Sequence, residues 1–315
     1  MGTEVGTGSA IVFPGMGPSR FEDVAKFMVI NPFARKLVAL ADERLGYSLV
    51  DRYRETEGDY SEYAQVAFLV NCLALAQWSE ATLGLKPDVC VGPSFGGKAA
   101  AVYSGALSFT DGVWMTQQIA RCLDDFFAKE LTDIVTLSFA RTPEDKLKEV
   151  LAELESRGYW HEISCTVDHD FQMLCISEHK IDELKDLIRA AGGMPMYLMR
   201  PPMHSTAFGA LREKAEAEII SKLEFGELVV PVIADQDGTL LTSGEQVKKM
   251  LLDGFDTPVN WLDVVSALQA RDIKKLYVSG QDGLFGRVAV TTKNFDVVAV
   301  NPRLAMQPRR RGTAA

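Results

Sequence analysis

One short segment combines residue types that can carry out nucleophilic chemistry. Gly92-Pro-Ser-Phe-Gly96 matches the pattern G-x-S-x-G. It lies between an apolar run that predicts a strand, 86–91, and a small-residue run that predicts a helix, 98–103. A serine in such a tight turn needs neighbours that lack side chains two residues away, and the turn lifts its hydroxyl above the sheet. The pattern therefore predicts Ser94 as a nucleophile.

The same segment also resembles a phosphate-binding loop. Gly92 is followed, after four residues, by Gly97-Lys98. That motif requires a serine or threonine after the lysine to hold magnesium, whereas Ala99 stands there. Nucleotide binding is therefore the weaker of the two interpretations.

A serine nucleophile needs a base, and the chain has four histidines. His161, His169 and His179 fall in or beside a predicted hairpin, where surface polarity is the ordinary explanation. His204 stands alone in Arg200-Pro-Pro-Met-His204, and the two prolines restrict the backbone just before it. His204 is the predicted base, and the alternative is a polar residue in an interdomain loop.

Composition narrows the classes of protein that this chain can belong to. Of its 315 residues 47% are hydrophobic and 24% charged, and the formal net charge is -10, which disfavours nucleic acid as a partner. The start lacks a signal-peptide pattern, and no apolar run reaches the roughly 20 residues that favour a membrane span. Five scattered cysteines predict free, buried thiols in a reducing compartment. We expect a cytoplasmic protein without a membrane partner.

Two patterns of elements alternate along the chain. Residues 134–199 predict the order β-α-β-β-α-β of a ferredoxin-like unit, and the flanking segments predict a larger α/β body with a buried helix at 60–83. The fold class is therefore α/β, with a large α/β-hydrolase-like catalytic domain (1–132 and 201–300) and an inserted small ferredoxin-like domain (133–200). We expect residues 301–315 to form a disordered tail.

Four motifs resemble those of the malonyl-CoA:acyl-carrier-protein transacylase family. Phe13-Pro-Gly-Met-Gly17 is similar to its FPGQG, the serine turn to its GHSxG, Met203-His-Ser205 to its FHS and Pro258-Val-Asn-Trp261 to its PVxW. Their order and spacing agree over about residues 10–290. The resemblance implies that Ser94 attacks a thioester while His204 holds the proton. It also implies acyl carrier proteins as donor and acceptor, with substrates carried on phosphopantetheine and no further cofactor or metal.

The resemblance also implies roles for main-chain groups. The backbone N–H groups of Met16 and Phe95 correspond to the family's oxyanion donors. The backbone carbonyl of Gly254 corresponds to the acceptor that orients the histidine.

Departures from the family pattern concern the acyl pocket. The arginine that holds a malonyl carboxylate corresponds to Ile119, and the histidine of GHSxG to Pro93; with Met203 these residues are predicted to line the pocket. A carboxylate facing Ile119 would remain unpaired, which disfavours malonyl groups. Asp168 and Asp170 replace an Asn-x-Pro segment, and their carboxylates could bind a cationic amine. A solvated turn is an equally good interpretation of that segment.

The serine turn carries a proline, and the carboxylate-binding arginine is missing. In both respects the sequence resembles the discrete trans-acting acyltransferases of macrolactam polyketide pathways, such as that of vicenistatin biosynthesis. This resemblance implies transfer of an aminoacyl or dipeptidyl group between carrier proteins. The alternatives are a malonyl-type transacylase, an acyl hydrolase and a non-catalytic carrier-protein docking module. Because carrier proteins are acidic, we expect a local basic docking patch at Arg141, Met194 and Arg287, although both arginines could be ordinary surface charges.

Overall fold

The computed structural model describes residues 8–130 and 133–307. Its strands are β1 Gly8–Val12, β2 Val89–Val91, β3 Ile134–Ala140, β4 His161–Asp168, β5 Phe171–Ser177, β6 Met194–Met199, β7 Val232–Ile233, β8 Leu240–Leu241, β9 Val259–Asn260, β10 Ile273–Ser279 and β11 Asp296–Val300. Its α-helices are α1 Phe21–Ile30, α2 Pro32–Leu45, α3 Leu49–Glu55, α4 Glu62–Leu83, α5 Gly96–Tyr103, α6 Phe109–Lys129, α7 Glu144–Ser156, α8 Ile181–Ala190, α9 Gly209–Glu218, α10 Gly244–Asp256, α11 Trp261–Gln269, α12 Ala289–Thr292 and α13 Pro302–Ala305.

The first sheet carries the predicted nucleophile. Its strand order is β11-β10-β1-β2-β7-β8, and every pairing is parallel except that of β7 with β8. The central strand β2 is buried along its whole length, as expected for a parallel strand whose two faces are both covered by helices. The loops that follow β1, β2 and β7 therefore leave the same edge of the sheet and can meet in one site.

The second sheet has the predicted ferredoxin-like arrangement with one addition. Strands β6, β3, β5 and β4 pair antiparallel in that order, and α7 and α8 supply the two helices of the unit. Strand β9, which follows in the chain long after the inserted unit, pairs parallel with β4 and extends the sheet. Main-chain hydrogen bonds thus join the small sheet to the large body.

Helix α4 forms the centre of the large body. It is long and apolar enough to cross a membrane by length and composition, but most of it is buried inside the protein. Ser61 caps its start by accepting a hydrogen bond from the Ala64 N–H, and Gly84 ends it in a left-handed conformation. An apolar helix that is buried on all faces is explained by this packing.

The predicted fold class is confirmed, and one terminal expectation is wrong. Residues 302–305 form α13, which contacts α1, α4 and β11, and Asn301 caps this helix through the Leu304 N–H. The predicted disordered tail therefore does not begin at residue 301. Residues 308–315 lie outside the described residues.

Candidate active site

The turn between β2 and α5 holds Ser94 in a strained conformation. Its φ is 55°, in the left-handed region that a non-glycine residue rarely adopts. A Cβ atom on Gly92 would lie 2.1 Å from the Gly96 carbonyl oxygen, and one on Gly96 would lie 2.0 Å from the Phe13 carbonyl oxygen. Both glycines are therefore required by close approach of main chains, and the turn leaves the Ser94 side chain exposed.

His204 lies directly against the serine. The distance between Ser94 Oγ and His204 Nε2 is 2.8 Å, which is a normal hydrogen-bond length. His204 is itself buried, its φ is 63°, and its backbone N–H donates to the Phe255 carbonyl at 3.0 Å. These constraints on the main chain restrict the position of the imidazole ring in the absence of substrate.

Burial sets the protonation state of this histidine. Desolvation lowers the pKa of His204 to about 4, and the nearby Gly254 carbonyl opposes that change. The imidazole is consequently neutral at pH 7 and can accept the serine proton through Nε2. Gly254 is close enough to affect the pKa, but Nδ1 has no hydrogen bond of normal geometry to any described residue.

The small sheet helps to hold the histidine segment. Glu162 on β4 accepts hydrogen bonds from the Ser205 hydroxyl at 2.6 Å and from the Thr206 N–H at 2.9 Å. These two residues follow His204 directly. A carboxylate that accepts several hydrogen bonds in one place orders the main chain that donates them, so β4 contributes to positioning the base.

Asp235 supports the serine from the neighbouring strand. It follows β7, which pairs with β2, and its Oδ2 accepts the backbone N–H of Ser94 at 2.7 Å. Burial raises the pKa of Asp235 to about 7, although the Ser94 bond favours the ionised form. This hydrogen bond stabilises the strained turn. The sequence pattern showed only an Asp-rich turn here, and the rule that neighbouring parallel strands end at one edge could have identified it.

Ser94 and His204 face a cleft of about 150 Å³. Five other residues of the predicted site line it, namely Met16, Phe95, Ile119, Met203 and Gly254. The backbone N–H groups of Met16 and Phe95 donate no hydrogen bond to another described residue. They are therefore free to donate to an oxyanion. Within the described ranges, no cluster of three or more His, Cys, Asp or Glu side chains is arranged to hold a metal ion.

Three predicted pocket residues do not line the cleft. Asp168 is buried elsewhere, and its carboxylate accepts the backbone N–H groups of Val290 at 3.0 Å and His169 at 2.8 Å. Asp170 is exposed in the hairpin, and Pro93 is buried within the turn. The prediction that these residues form the acyl pocket is therefore wrong, because Asp168 is occupied in joining the small sheet to the first turn of α12.

The cleft contains a cation that the sequence comparison missed. Lys98 lies in the first turn of α5, four residues after Ser94, and lines the cleft, with Nζ 4.2 Å from the centre of the Phe95 ring. The side chain is partly exposed, yet its surroundings lower the pKa of Lys98 to about 7. The Gly-Lys pair had been considered only as part of a phosphate loop.

The position of Ile119 agrees with the prediction that it lines the pocket. Ile119 is buried on α6 and lines the cleft, so no arginine occupies that place. The nearest arginine along the helix, Arg121, points away and pairs with Glu62 at 2.6 Å.

Comparison with known proteins agrees with this geometry. Residues 138–199 match the family model described as the VinK acyltransferase small domain. The chain is 24% identical over 302 residues to the malonyl CoA-acyl carrier protein transacylase of Bacillus subtilis, covering 93% of each protein. Among solved structures, FabD from Acinetobacter baumannii has a TM-score of 0.83 at 19% identity, with 95% of this chain and 96% of that one covered.

A second solved structure is a malonyl transacylase in complex with its acyl carrier protein from a type II polyketide synthase, PlMCAT with AntF. It has a TM-score of 0.79 at 18% identity and covers 92% of this chain and 94% of its own. These structures show the shared fold, and the sequence relative shows that the likeness extends along nearly the whole chain. The resemblance drawn from the four motifs is confirmed: this chain is similar to malonyl-CoA:acyl-carrier-protein transacylases along nearly its whole length, and its small-domain segment matches an acyltransferase model.

Proposed function

We propose that this protein transfers acyl groups between carrier-protein thioesters through an acyl-Ser94 intermediate. The observation that carries the proposal is the 2.8 Å contact between an exposed serine hydroxyl and a buried, neutral histidine at a cleft. Ser94 Oγ attacks the thioester carbonyl carbon while His204 Nε2 takes its proton. The carbon–sulfur bond then breaks, and the departing thiolate takes the proton back.

The second half of the reaction reverses these roles with a different thiol. The acceptor's phosphopantetheine thiol gives its proton to His204 and attacks the acyl-serine ester, and Ser94 Oγ leaves and is reprotonated. In both halves the negative charge on the carbonyl oxygen faces the free N–H groups of Met16 and Phe95. This two-step route predicts ping-pong kinetics.

The acyl group is proposed to be an aminoacyl or dipeptidyl chain of macrolactam biosynthesis that carries no carboxylate. The support is the buried Ile119 in the place of the family's carboxylate-binding arginine, together with the match of the small domain. Lys98 is a flexible point charge and does not offer the two parallel bonds that an arginine fork gives a carboxylate. The carboxylates of Asp168 and Asp170 play no part in this proposal.

We expect malonyl-CoA to be a poorer donor than an aminoacyl thioester that carries no carboxylate. A malonyl carboxylate next to Ile119 loses its hydration without gaining a bidentate partner, so its kcat/KM should be at least about tenfold lower. Competition between the two donors for one acceptor carrier protein measures the ratio directly. A ratio that favours malonyl would return the protein to malonyl-type transfer.

The proposed partners are acyl carrier proteins as donor and acceptor, as in the PlMCAT–AntF complex. Arg141 directly follows β3, whose last residue, Ala140, pairs with Met194 on β6. Arg141 and Met194 are therefore neighbours on the small sheet. Arg141 and Arg287 are exposed, and Met194 is 41% exposed. None of the three lines the cleft; Met194 lies at the opposite end of β6 from the cleft residue Met199, about 17 Å along the strand.

Two hydrogen bonds connect the segments that carry Arg141 and Arg287 to the hairpin between β4 and β5. The Thr142 N–H donates to the Asp170 carbonyl at 3.1 Å, and the Val290 N–H donates to the Asp168 carboxylate. The loops that carry Arg141 and Arg287 are thus both fastened to one hairpin. A carrier protein on this face would need its flexible phosphopantetheine arm to reach Ser94.

Charge reversal tests this docking face. Arg141→Glu and Arg287→Glu should each lower kcat/KM for an acyl carrier protein roughly tenfold at low salt and weaken its salt dependence, because steering by opposite charges is lost. Arg35→Glu on α2 is the matched control, since it changes the net charge equally. If transfer from a small pantetheine thioester falls by the same factor as carrier-dependent transfer, these arginines are not docking residues.

A further inference from the structure

A second polar site lies in the cleft, at the first turn of α5. Lys98 and Gln65 both line the cleft, and Lys98 Nζ donates to Gln65 Oε1 at 3.4 Å. Ser94 lines the same cleft, so this pair faces the space that an acyl chain on Ser94 would enter. The rest of the lining nearby is largely apolar, with Ile119, Met203 and Leu251 among it.

The orientation of the Gln65 amide is fixed by a neighbour. Its Nε2 donates to the Tyr60 carbonyl at 2.9 Å, so its oxygen is the atom presented to Lys98. Gln65 is 7% exposed, and the residue before its helix, Ser61, caps that helix. The glutamine is therefore a held acceptor and not a freely rotating side chain.

Lys98 has no acidic partner within the described ranges. None of the ion pairs in the described part of the chain includes it, and its contacts are the Phe95 ring and the Gln65 oxygen. Burial lowers its pKa to about 7, which shows how little its surroundings compensate the charge. An amine in this position gains free energy from any oxygen acceptor that enters the cleft.

We propose that Lys98 and Gln65 bind the amide group of the acyl chain, Lys98 donating to its carbonyl oxygen and Gln65 Oε1 accepting from its N–H. An amide carries a donor and an acceptor side by side, and this pair offers the complementary acceptor and donor. A carboxylate would bring a second oxygen against Gln65 Oε1, and a simple alkyl chain would leave the two groups with only their long 3.4 Å contact with each other. This inference rests on the proposed acyl transfer and assigns the specificity of the same site.

Two pantetheine thioesters of equal length test the assignment. N-acetyl-β-alanyl-pantetheine carries an amide, and hexanoyl-pantetheine replaces that amide by two methylene groups. The wild-type protein should favour the amide substrate in kcat/KM by about tenfold to hundredfold, because the alkyl chain displaces water from Lys98 and Gln65 without offering either group a hydrogen bond. Glutaryl-pantetheine, which ends in a carboxylate, should not match the amide substrate.

The ratio of the two kcat/KM values is the readout for variants. Lys98→Met and Gln65→Met should each bring that ratio close to one, whereas Lys98→Arg, which keeps a donor, should restore part of the preference. A purely structural defect would lower both substrates together and leave the ratio unchanged. Lys86→Met, the same change at an exposed lysine, is the matched control and should leave the ratio at its wild-type value.

The outcomes separate this inference from the function on which it rests. If the wild-type protein transfers no thioester through Ser94, the proposed function fails. If it transfers the amide and hexanoyl substrates equally, or if Lys98→Met and Gln65→Met leave the ratio unchanged, only the amide site is overturned. A preference for glutaryl that disappears in Lys98→Met would make Lys98 a carboxylate-binding residue and would also overturn the amide assignment.

Discussion

Replacing Ser94 by alanine should abolish acyl transfer, with a loss in kcat of about 10⁴-fold or more. In the proposed mechanism the hydroxyl oxygen forms the new bond to the acyl carbon, and it is this oxygen that lies 2.8 Å from His204 Nε2. Transfer from an acyl carrier protein to a second carrier protein, followed by mass spectrometry of the acceptor, measures the effect.

The matched control is Ser156→Ala at the end of α7, where an exposed serine is replaced far along the chain from the elbow. The two variants should have similar thermal stability, since both delete one hydroxyl. Full transfer activity in Ser94→Ala would contradict the assignment of the nucleophile. A parallel loss in Ser156→Ala would point to a general folding defect.

His204→Ala should lower kcat by several orders of magnitude, as removal of the base does in other serine enzymes. The wild-type pH profile gives an independent test. Because burial lowers the pKa of His204 to about 4, the imidazole stays the neutral base over the whole range above that value. The rate should therefore fall only as the pH drops toward 4, well below the ordinary histidine value of about 6.5.

This profile is best measured as kcat/KM with a small pantetheine thioester, so that carrier-protein docking does not add its own pH dependence. An acidic limb centred near 6.5 would show that the histidine is solvated in the working enzyme. A profile that His204→Ala leaves unchanged in shape would assign the limb to another group. Asp235, with a pKa raised to about 7 by burial, is the first alternative to examine.

The serine elbow could be predicted because its requirements are local. The close main-chain contacts at positions 92 and 96 require glycine, and both glycines are visible in the sequence. An apolar strand and a small-residue helix flank them. The ferredoxin-like unit was likewise recognisable from the periodicity of residues 134–199. His204 followed by elimination among four histidines and by its place in the FHS-like motif.

The residues that sequence patterns missed depend on contacts between distant segments. Asp235 meets Ser94 across 141 positions, and nothing local to either residue indicates that bond. Lys98 resembled part of a phosphate loop, and only the packing of α5 against α4 brings it to Gln65. The predicted pocket role of Asp168 was wrong because an aspartate-rich turn does not indicate that the Asp168 carboxylate accepts a hydrogen bond from the Val290 N–H.

The pairing of β9 with β4 illustrates the same limit. Strand β9 contains two residues, too few for any periodicity, and it joins a sheet that the chain left about sixty residues earlier. Long-range pairing of this kind is decided by the packing of the whole body and not by local propensity.

The mass of the intact protein after incubation with an acyl donor tests the central claim most directly. With N-acetyl-β-alanyl-pantetheine and no acceptor, the wild-type protein should gain the mass of one acyl group, and peptide mapping should locate it on Ser94. Addition of an acceptor carrier protein should remove the group from the enzyme and place it on the carrier. The same adduct on Ser94→Ala, or loss of the group to water with none reaching the carrier, would contradict acyl transfer through Ser94.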